Sequence, residues 1–470
     1  MKKTIRFGLF CAFALLAACA PRERTVVLLS TNDIHARIER FPQLAAAVEA
    51  CRDTARIVFL VDAGDRWTGN AYVDMAEGRR PILELMNRLG YDAATVGNHE
   101  FDPGQGVLGD MLRFAEFPVV CANLLSDTTA VPQPEPCVVV KKHGVKVGFV
   151  GVVTNYEGDG HPAGQEAVFR GLSFPDPQRM ARRFASIADR CDVLVLLSHM
   201  GSTHDRELLA AETAYDVVIG GHSHEEIDEE VNGTLLTQTG KNLRNIGVTT
   251  VRLRGHEVAG VDFRLVPLDA YRPDPEYAGM VERYYANPDL RKPVGAFAQT
   301  AVQTGIANWL TDLMADETDT DVAFYHIGGV RLDSIPAGEV ALSTLFDLEP
   351  FGTEICTLRM TPEQMRRMIL SKYNDPVNTK EAHRIDLYST TPYTIVTDGR
   401  DAVDVRFPEL TEGRTYSVAV SNYIYNKYDD LHYTDGVETG LLVTDMLLEE
   451  LEDDSPVVPD NTPRQRVAER

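Results

Sequence analysis

Thr25-Val26-Val27-Leu28-Leu29-Ser30 runs straight into Thr31-Asn32-Asp33-Ile34-His35. The first six residues form a short apolar run of the kind that makes a buried strand. The next five place a carboxylate and an imidazole just past its end. The same juxtaposition recurs along the chain. Arg56–Val61 leads into Asp62-Ala63-Gly64-Asp65, and Asp92–Val96 into Gly97-Asn98-His99-Glu100, with Asp102 just beyond. Asp192–Leu197 leads into Ser198-His199-Met200-Gly201, and Tyr215–Gly220 into Gly221-His222-Ser223-His224. Two further runs are Pro118–Ala122 and Val145–Val153. Amphipathic stretches such as Pro42–Arg52 and Pro81–Gly90 lie between the runs, the latter stopped by Gly90. This alternation predicts an α/β fold with many buried strands. Ligands in such sheets bind at the carboxyl ends of the strands, so the polar residues are expected to converge.

From Thr234 the pattern changes to hairpin-like strands, Gly247–Arg254 and Gly260–Val266. Residues 269–295 hold Pro273, Pro275, Pro288 and Pro293 around a helical stretch, Glu276–Ala286, and read as a connector. A second α/β region spans 296–451, with a helix at Ala307–Asp316 and a strand at Val322–His326. A further helix is signalled by Thr361-Pro362-Glu363-Gln364, a capping box with Pro at the first turn. Residues 452–470 are polar, contain three prolines and read as a disordered tail.

The 470 residues carry 46 Lys and Arg against 70 Asp and Glu, a formal net charge of −24. That acid excess argues against a nucleic-acid-backbone binder and disfavours a nuclease. A small anionic substrate remains admissible if local cations hold it. Residues 1–18 have a basic start and an apolar run from Phe7 to Ala18. That run is too short for a bilayer core of roughly 30 Å and reads as a secretory signal. Leu16-Ala17-Ala18-Cys19 resembles the bacterial lipobox, which implies a lipid on Cys19, a tether over 19–24 and an extracytoplasmic address at a membrane. The alternative is an ordinary signal cut near Ala20. The remaining cysteines, Cys51, Cys121, Cys137, Cys191 and Cys356, are scattered and odd in number. They read as small buried hydrophobes, with a Cys121–Cys137 bridge left open.

The residue types at the strand ends suggest their contents. Carboxylates, one amide oxygen and several imidazoles, with no thiolate, suit Zn, Mn, Fe or Co better than Ca or Mg. Seven ligands are too many for one tetrahedral ion and fit two ions sharing a carboxylate, an arrangement used in phosphoester hydrolysis. Asp62 reads as a brace for its turn. The flanking glycines, Gly64, Gly97, Gly201, Gly220 and Gly221, are expected to let the backbone turn sharply.

These motifs resemble the calcineurin-like metallophosphoesterases. Thr31-Asn32-Asp33 and Asn98-His99-Glu100-Phe101-Asp102 narrow the resemblance to the bacterial 5′-nucleotidase/UDP-sugar hydrolase family. It implies an N-terminal αββα-sandwich metallophosphoesterase domain, here 25–268, and a C-terminal α/β nucleotide-binding domain, here 296–451, with rotation between them. It implies one metal at Asp33, His35, Asp65 and His224 and a second at Asp65, Asn98, His199 and His222. His99 would act on the phosphoryl or leaving oxygens, oriented by Asp102. Ala36 stands where the family usually has Gly.

The second region departs further from the family. Arg331 and the Gly328–Gly329 pair are kept, but His326 stands for the usual Asn, and Thr300 for an Arg before the first helix. Phe351 and Tyr423 match the aromatics that sandwich a base. Asp429 is the expected ribose-binding carboxylate, with Asp435 as a rival. The resemblance thus implies a dinuclear hydrolase of nucleoside 5′-phosphates. A 2′,3′-cyclic-nucleotide or nucleotide-sugar hydrolase is the alternative within the family, and an inactive ligand-binding lipoprotein the alternative outside it.

Overall fold

The computed structural model describes residues 23–127, 130–156, 160–164, 166–211, 214–375, 384–428 and 436–470. The signal segment, Cys19, Asp429 and Asp435 lie outside the described residues. The N-terminal half is built on two sheets. One has five strands in the order Glu257–Pro267, Asn245–Arg254, Glu23–Thr31, Val58–Asp62 and Ala93–Ala94. The other has six, in the order Glu226–Val231, Thr234–Thr239, Val217–Gly220, Val193–His199, Val145–Val153 and Cys137–Lys142.

The period of two along each strand explains the layering. Leu28, Phe59, Phe149, Val195 and Ile219 meet in a core between the sheets. Their neighbours Leu29 and Leu60 face helices Phe41–Thr54 and Pro81–Leu89 on one side. Val150, Leu196 and Val218 face helices Pro177–Phe184 and Ser202–Ala210 on the other. The strands are apolar on both faces because both faces are covered. The result is the expected αββα sandwich. Parallel register sets Thr31 beside Asp62, Asp62 beside Ala94, and Ser198 beside Gly220. The polar loops therefore leave their sheets at one level.

The C-terminal half is a five-stranded sheet, in the order Leu387–Ser389, Val322–His326, Tyr416–Ser421, Glu354–Met360 and Val437–Leu442. Helices Gln303–Thr318 and Val443–Asp453 cover one face and Pro362–Tyr373 the other. The capping box at Thr361 and Gln364 forms as expected.

Three expectations are corrected. Helix Pro275–Tyr284 is part of the N-terminal unit: Tyr277 and Val281 join its core and the Tyr284 hydroxyl donates to Glu84 at 2.5 Å. Leu290 already accepts from the Ser343 N–H of the second unit at 2.9 Å, so the crossing is only a few residues long. The tail is ordered. Arg464 forms a two-armed ion pair with Asp312, and Gln465–Glu469 adds a parallel strand to Tyr393–Thr397. Polar composition suggested solvent, but these side chains are matched to partners about 150 residues away. Asp92–Val96 and Pro118–Ala122 shrink to Ala93–Ala94 and to single bridges at Val119 and Val120. The five cysteines from Cys51 to Cys356 are all free, so Cys121 and Cys137 form no bridge.

Candidate active site

The loops at the sandwich rim are held in unusual backbone conformations. Asp33, His35, Ala36, Asp65, His222 and His224 have φ of 49°, 47°, 57°, 58°, 75° and 55°. Left-handed backbone costs a non-glycine residue roughly 1–2 kcal/mol, and such residues gather at functional sites. Hydrogen bonds between loops hold them there. The N–H groups of Asp33, His35 and Ala36 donate to the carbonyls of Gly64, Asp65 and Arg66 at 2.9, 3.1 and 2.7 Å. Ala36 thus occupies a position that glycine would take without strain.

Glu100 is the residue whose role the sequence reading missed. Its buried carboxylate accepts from the N–H groups of Asp65 at 2.9 Å and Arg66 at 2.8 Å, and from Gly97. It ties the second loop to the third. It stood in view inside Gly97-Asn98-His99-Glu100, but sequence does not show that a carboxylate faces three amides. Asp62 braces its turn as expected, accepting from Arg66, Thr31 and the Gly64 N–H.

The glycine expectation holds in part. Gly64 and Gly201 are left-handed, at φ of 95° and 86°, but Gly97, Gly220 and Gly221 are not. Gly97 is required by proximity: a Cβ there would lie 2.2 Å from Asp65 Oδ1 and 2.7 Å from His199 Nε2. Gly97→Ala is therefore expected to push both side chains aside and weaken metal affinity by roughly 10–100-fold, the scale for a mispositioned ligand. Metal titration alongside circular dichroism checks this. A folded variant with unchanged affinity contradicts it.

All seven ligand candidates converge. Asp33, His35 and His224 bring donor atoms within 4.8 Å of one another, and Asp65, His199 and His222 do the same. Asn98 Oδ1 lies 2.9 Å from His222 Nδ1. The His222 N–H donates to both Asp33 carboxylate oxygens at 3.1 Å. The donors suit a cation. His35 Nε2 and His224 Nε2 face each other at 3.0 Å. Burial, with Arg331 beside both rings and Lys241 beside His224, holds both imidazoles well below their usual range, hence neutral. His199 Nδ1 is 2.7 Å from the Ala63 carbonyl, which aims Nε2 toward Asp65 at 3.1 Å. That Nε2 is buried without a hydrogen bond. Burial opposes a charge on His199, yet Asp65 and Asp33 outweigh it and push the ring up to about 10. A divalent cation would sit in the same negative field.

His99 stands apart in its bonding. Its Nδ1 is 2.7 Å from Asp102 Oδ2, which also accepts from the Thr68 hydroxyl at 2.7 Å. Its backbone N–H donates to Asp65 at 2.9 Å. Burial disfavours its charged form, but Asp102 and Asp65 raise it above the ordinary imidazole value. Its position within the His35–Asp65–His99 group also permits ligation.

The second unit closes over this cluster. Phe351 stacks on His99 at 5.7 Å and 27°. Arg331 Nη2 lies 3.2 Å from His35 Nδ1, its guanidinium 5.6 Å from the Phe351 ring. Tyr423 stacks on His326 at 4.4 Å and 24°. A cavity of about 240 Å³ is lined by Asp65, Asn98, His99, Asp102, His222 and His224 from one side and by His326, Arg331, Phe351 and Tyr423 from the other. Thr300 is not among the lining residues. It is exposed, and its carbonyl accepts from Asn461 of the tail at 2.9 Å.

Fold and site define a phosphoesterase of the metal-dependent type. Residues 27–226 match the calcineurin-like phosphoesterase family and residues 289–435 the 5′-nucleotidase C-terminal domain. The chain thus carries a calcineurin-like phosphoesterase domain followed by a 5′-nucleotidase C-terminal domain and is a metal-dependent phosphoester hydrolase. It is 24% identical to protein UshA of Yersinia enterocolitica, over 92% of each chain. It is 26% identical to endonuclease YhcR of Bacillus subtilis, covering 86% of this chain but only 37% of that longer protein. Among solved structures, a 5′-nucleotidase precursor from Thermus thermophilus shares the fold, with a TM-score of 0.80 at 22% identity, covering 94% of this chain and 99% of that one.

Proposed function

We propose that the protein is a two-metal 5′-nucleotidase that releases phosphate from nucleoside 5′-phosphates. One observation carries this reading: a single cavity is walled by the metal-type cluster and by two aromatic rings, Phe351 and Tyr423. A phosphate on the cluster and a base on the rings are the two ends of one nucleotide. In this reading Asp33, His35, Asp65 and His224 hold one ion, and Asp65, Asn98, His199 and His222 the other, with Asp65 shared. Two divalent cations bound there would polarise the phosphoryl oxygens and activate water. The metal is Mn, Zn, Co or Fe by donor type.

The chain's own groups do the rest. Asp102 fixes the proton on His99 Nδ1 and leaves Nε2 for the phosphoryl or leaving oxygen. Arg331 offers a guanidinium to the phosphate. Phe351 covers His99 and keeps water from it. The catalytic unit is 25–268 with helix Pro275–Tyr284 packed on it, and the substrate-binding unit is 296–451 with the 452–470 segment docked on it. A phosphate-release panel over nucleotides, cyclic nucleotides, sugar nucleotides and an aryl phosphate, with Mn, Zn, Co and Mg compared, tests the reading. Absence of both turnover and bound metal sinks it in favour of a binding protein.

Stacking holds a base without reading its edge, so broad base tolerance is expected. Phe351→Ala and Tyr423→Ala should each lower kcat/KM for nucleotides. At about 1–3 kcal/mol per stacked base, the loss is roughly 5- to 150-fold. Turnover of an aryl phosphate should change little in Tyr423→Ala, whose ring stacks on His326, whereas it is Phe351 that stacks on His99. If neither replacement affects nucleotides, the second unit holds something other than a base.

No helix among the described residues is long and apolar enough to cross a membrane. We assign membrane attachment to a lipid on Cys19, at an extracytoplasmic face. Mass spectrometry of the native N-terminus checks this, and an unmodified start at Ala20 refutes it.

A further inference from the structure

Loop 66–74 follows the candidate ligand Asp65 and ends on the short helix Ala71–Asp74. It is braced as one body. The Asp74 carboxylate accepts from the N–H groups of Thr68 at 3.1 Å, Gly69 at 2.8 Å and Asn70 at 3.0 Å. Asn70 caps the short helix through the Tyr72 N–H at 3.0 Å and donates to the Tyr285 hydroxyl at 2.7 Å. A Cβ on Gly69 would lie 3.0 Å from the His35 carbonyl oxygen, so the loop also lies tight against the first ligand loop.

Thr68 carries strain in this loop. It is fully buried, and its φ of 68° is left-handed, a conformation that a β-branched residue adopts only where its surroundings enforce it. The conformation aims its hydroxyl, which donates at 2.7 Å to Asp102 Oδ2, the oxygen that also faces His99 Nδ1 at 2.7 Å. A carboxylate with one donor can turn about its bond to Cβ. A second donor from a different loop pins that oxygen, and with it the plane of the imidazole. The far end of the loop meets the second unit. Asp347, on helix Leu342–Leu348, accepts the Ala71 N–H at 2.7 Å. One braced segment thus carries both a contact to the second unit and a contact to the His99–Asp102 pair.

We propose that Thr68 is a positioning residue for His99, and that its loop carries the docking of the second unit, sensed at Asp347, to the Asp102 carboxylate. With the second unit in place, Asp347 holds Ala71, the loop holds Thr68, and the Thr68 hydroxyl holds Asp102 against His99. His99 is then fully oriented only in the closed cleft, where Phe351 covers its ring. Closing steps in enzymes complete a catalytic constellation in this way, so that chemistry follows substrate capture. The inference rests on the reading of His99 as the group that acts on the phosphoryl or leaving oxygen.

The test uses the metal-loaded full chain and a small aryl phosphate, so that base binding does not enter. Thr68→Val removes the hydroxyl and keeps the shape. It is expected to lower kcat roughly 10–100-fold, the scale on which a displaced catalytic group costs rate, with KM and bound metal unchanged. Thr68→Ser keeps the hydroxyl and should restore most of that loss. Asp347→Ala should lower kcat about threefold or more, as residues of one network couple. Asp347→Asn, which keeps an oxygen for the Ala71 N–H, should recover it. The two losses share one route, so Thr68→Val combined with Asp347→Ala should lose no more than Thr68→Val alone. Amide hydrogen exchange at Thr68, Gly69 and Asn70 should speed up in Asp347→Ala while the core strands of the first unit keep their protection. A double variant whose loss is the product of the single losses overturns the coupling, as does unchanged exchange in the loop. Full activity in Thr68→Val overturns the positioning role, and so does an equal loss in Thr68→Ser. His99→Ala separates the two readings. If it lowers kcat and Thr68→Val does not, this inference fails alone. If His99→Ala costs nothing, the reading of His99 fails and takes this inference with it.

Discussion

Asp65→Asn is expected to lower phosphate release by at least about 10²–10³-fold, the scale of removing one key electrostatic contact to a transition state. Asp65 belongs to two of the donor groups, with His199 and His222 and with His35 and His99. It also receives the His99 N–H at 2.9 Å. Removing its charge should therefore reduce bound metal from two ions per chain to one or none, read by elemental analysis after reconstitution with excess Mn or Zn. Asp62 is the control. It is fully buried and paired with Arg66 at 2.8 Å, outside all three donor groups. Breaking a buried pair costs about 3–5 kcal/mol, so Asp62→Asn should lower Tm while the folded protein keeps its metal. If Asp65→Asn retains two ions, the shared-carboxylate reading is wrong.

His99→Ala should reduce kcat by about 10²–10⁴-fold, the range for a positioned acid–base group, with metal content unchanged. Its Nδ1 is committed to Asp102, and its ring sits under Phe351. Both contacts describe a residue poised over the substrate. The pH profile adds a second readout. Asp102 and Asp65 outweigh burial and raise the imidazole above its ordinary value, so its protonated form persists to higher pH. If that form donates to the leaving oxygen, activity should fall as pH rises through the raised value. That alkaline limb should vanish in His99→Ala. Loss of an ion in this variant would place His99 among the ligands, as its nearness to His35 and Asp65 permits.

Elements of both units were legible where their signals are local and repeated. Val145–Val153 and Val322–His326 form over the residues that their apolar patterns mark, and the Thr361 cap appears as read. Each strand carries its polar residues directly behind it, and parallel register then forces those ends together. The tail was misread because its order comes from Asn461, Arg464 and Gln465 meeting partners far away in sequence. The docked connector helix failed for a related reason: prolines mark its ends, but only packing shows that Tyr277 and Val281 enter a core.

The sequence by itself determined the α/β class, the strand-end positions of the seven candidate ligands and the donor chemistry, because periodicity and residue type are local properties; the αββα layer order came from the family resemblance. Only the tertiary structure decided what those groups face. It set Glu100 against three amide N–H groups and left His199 Nε2 buried without a hydrogen bond. It pressed Gly97 against Asp65, and brought Phe351 over His99 from a different domain. Charge and contact depend on distance in space, and residues hundreds of positions apart acquire that distance only when the chain has folded.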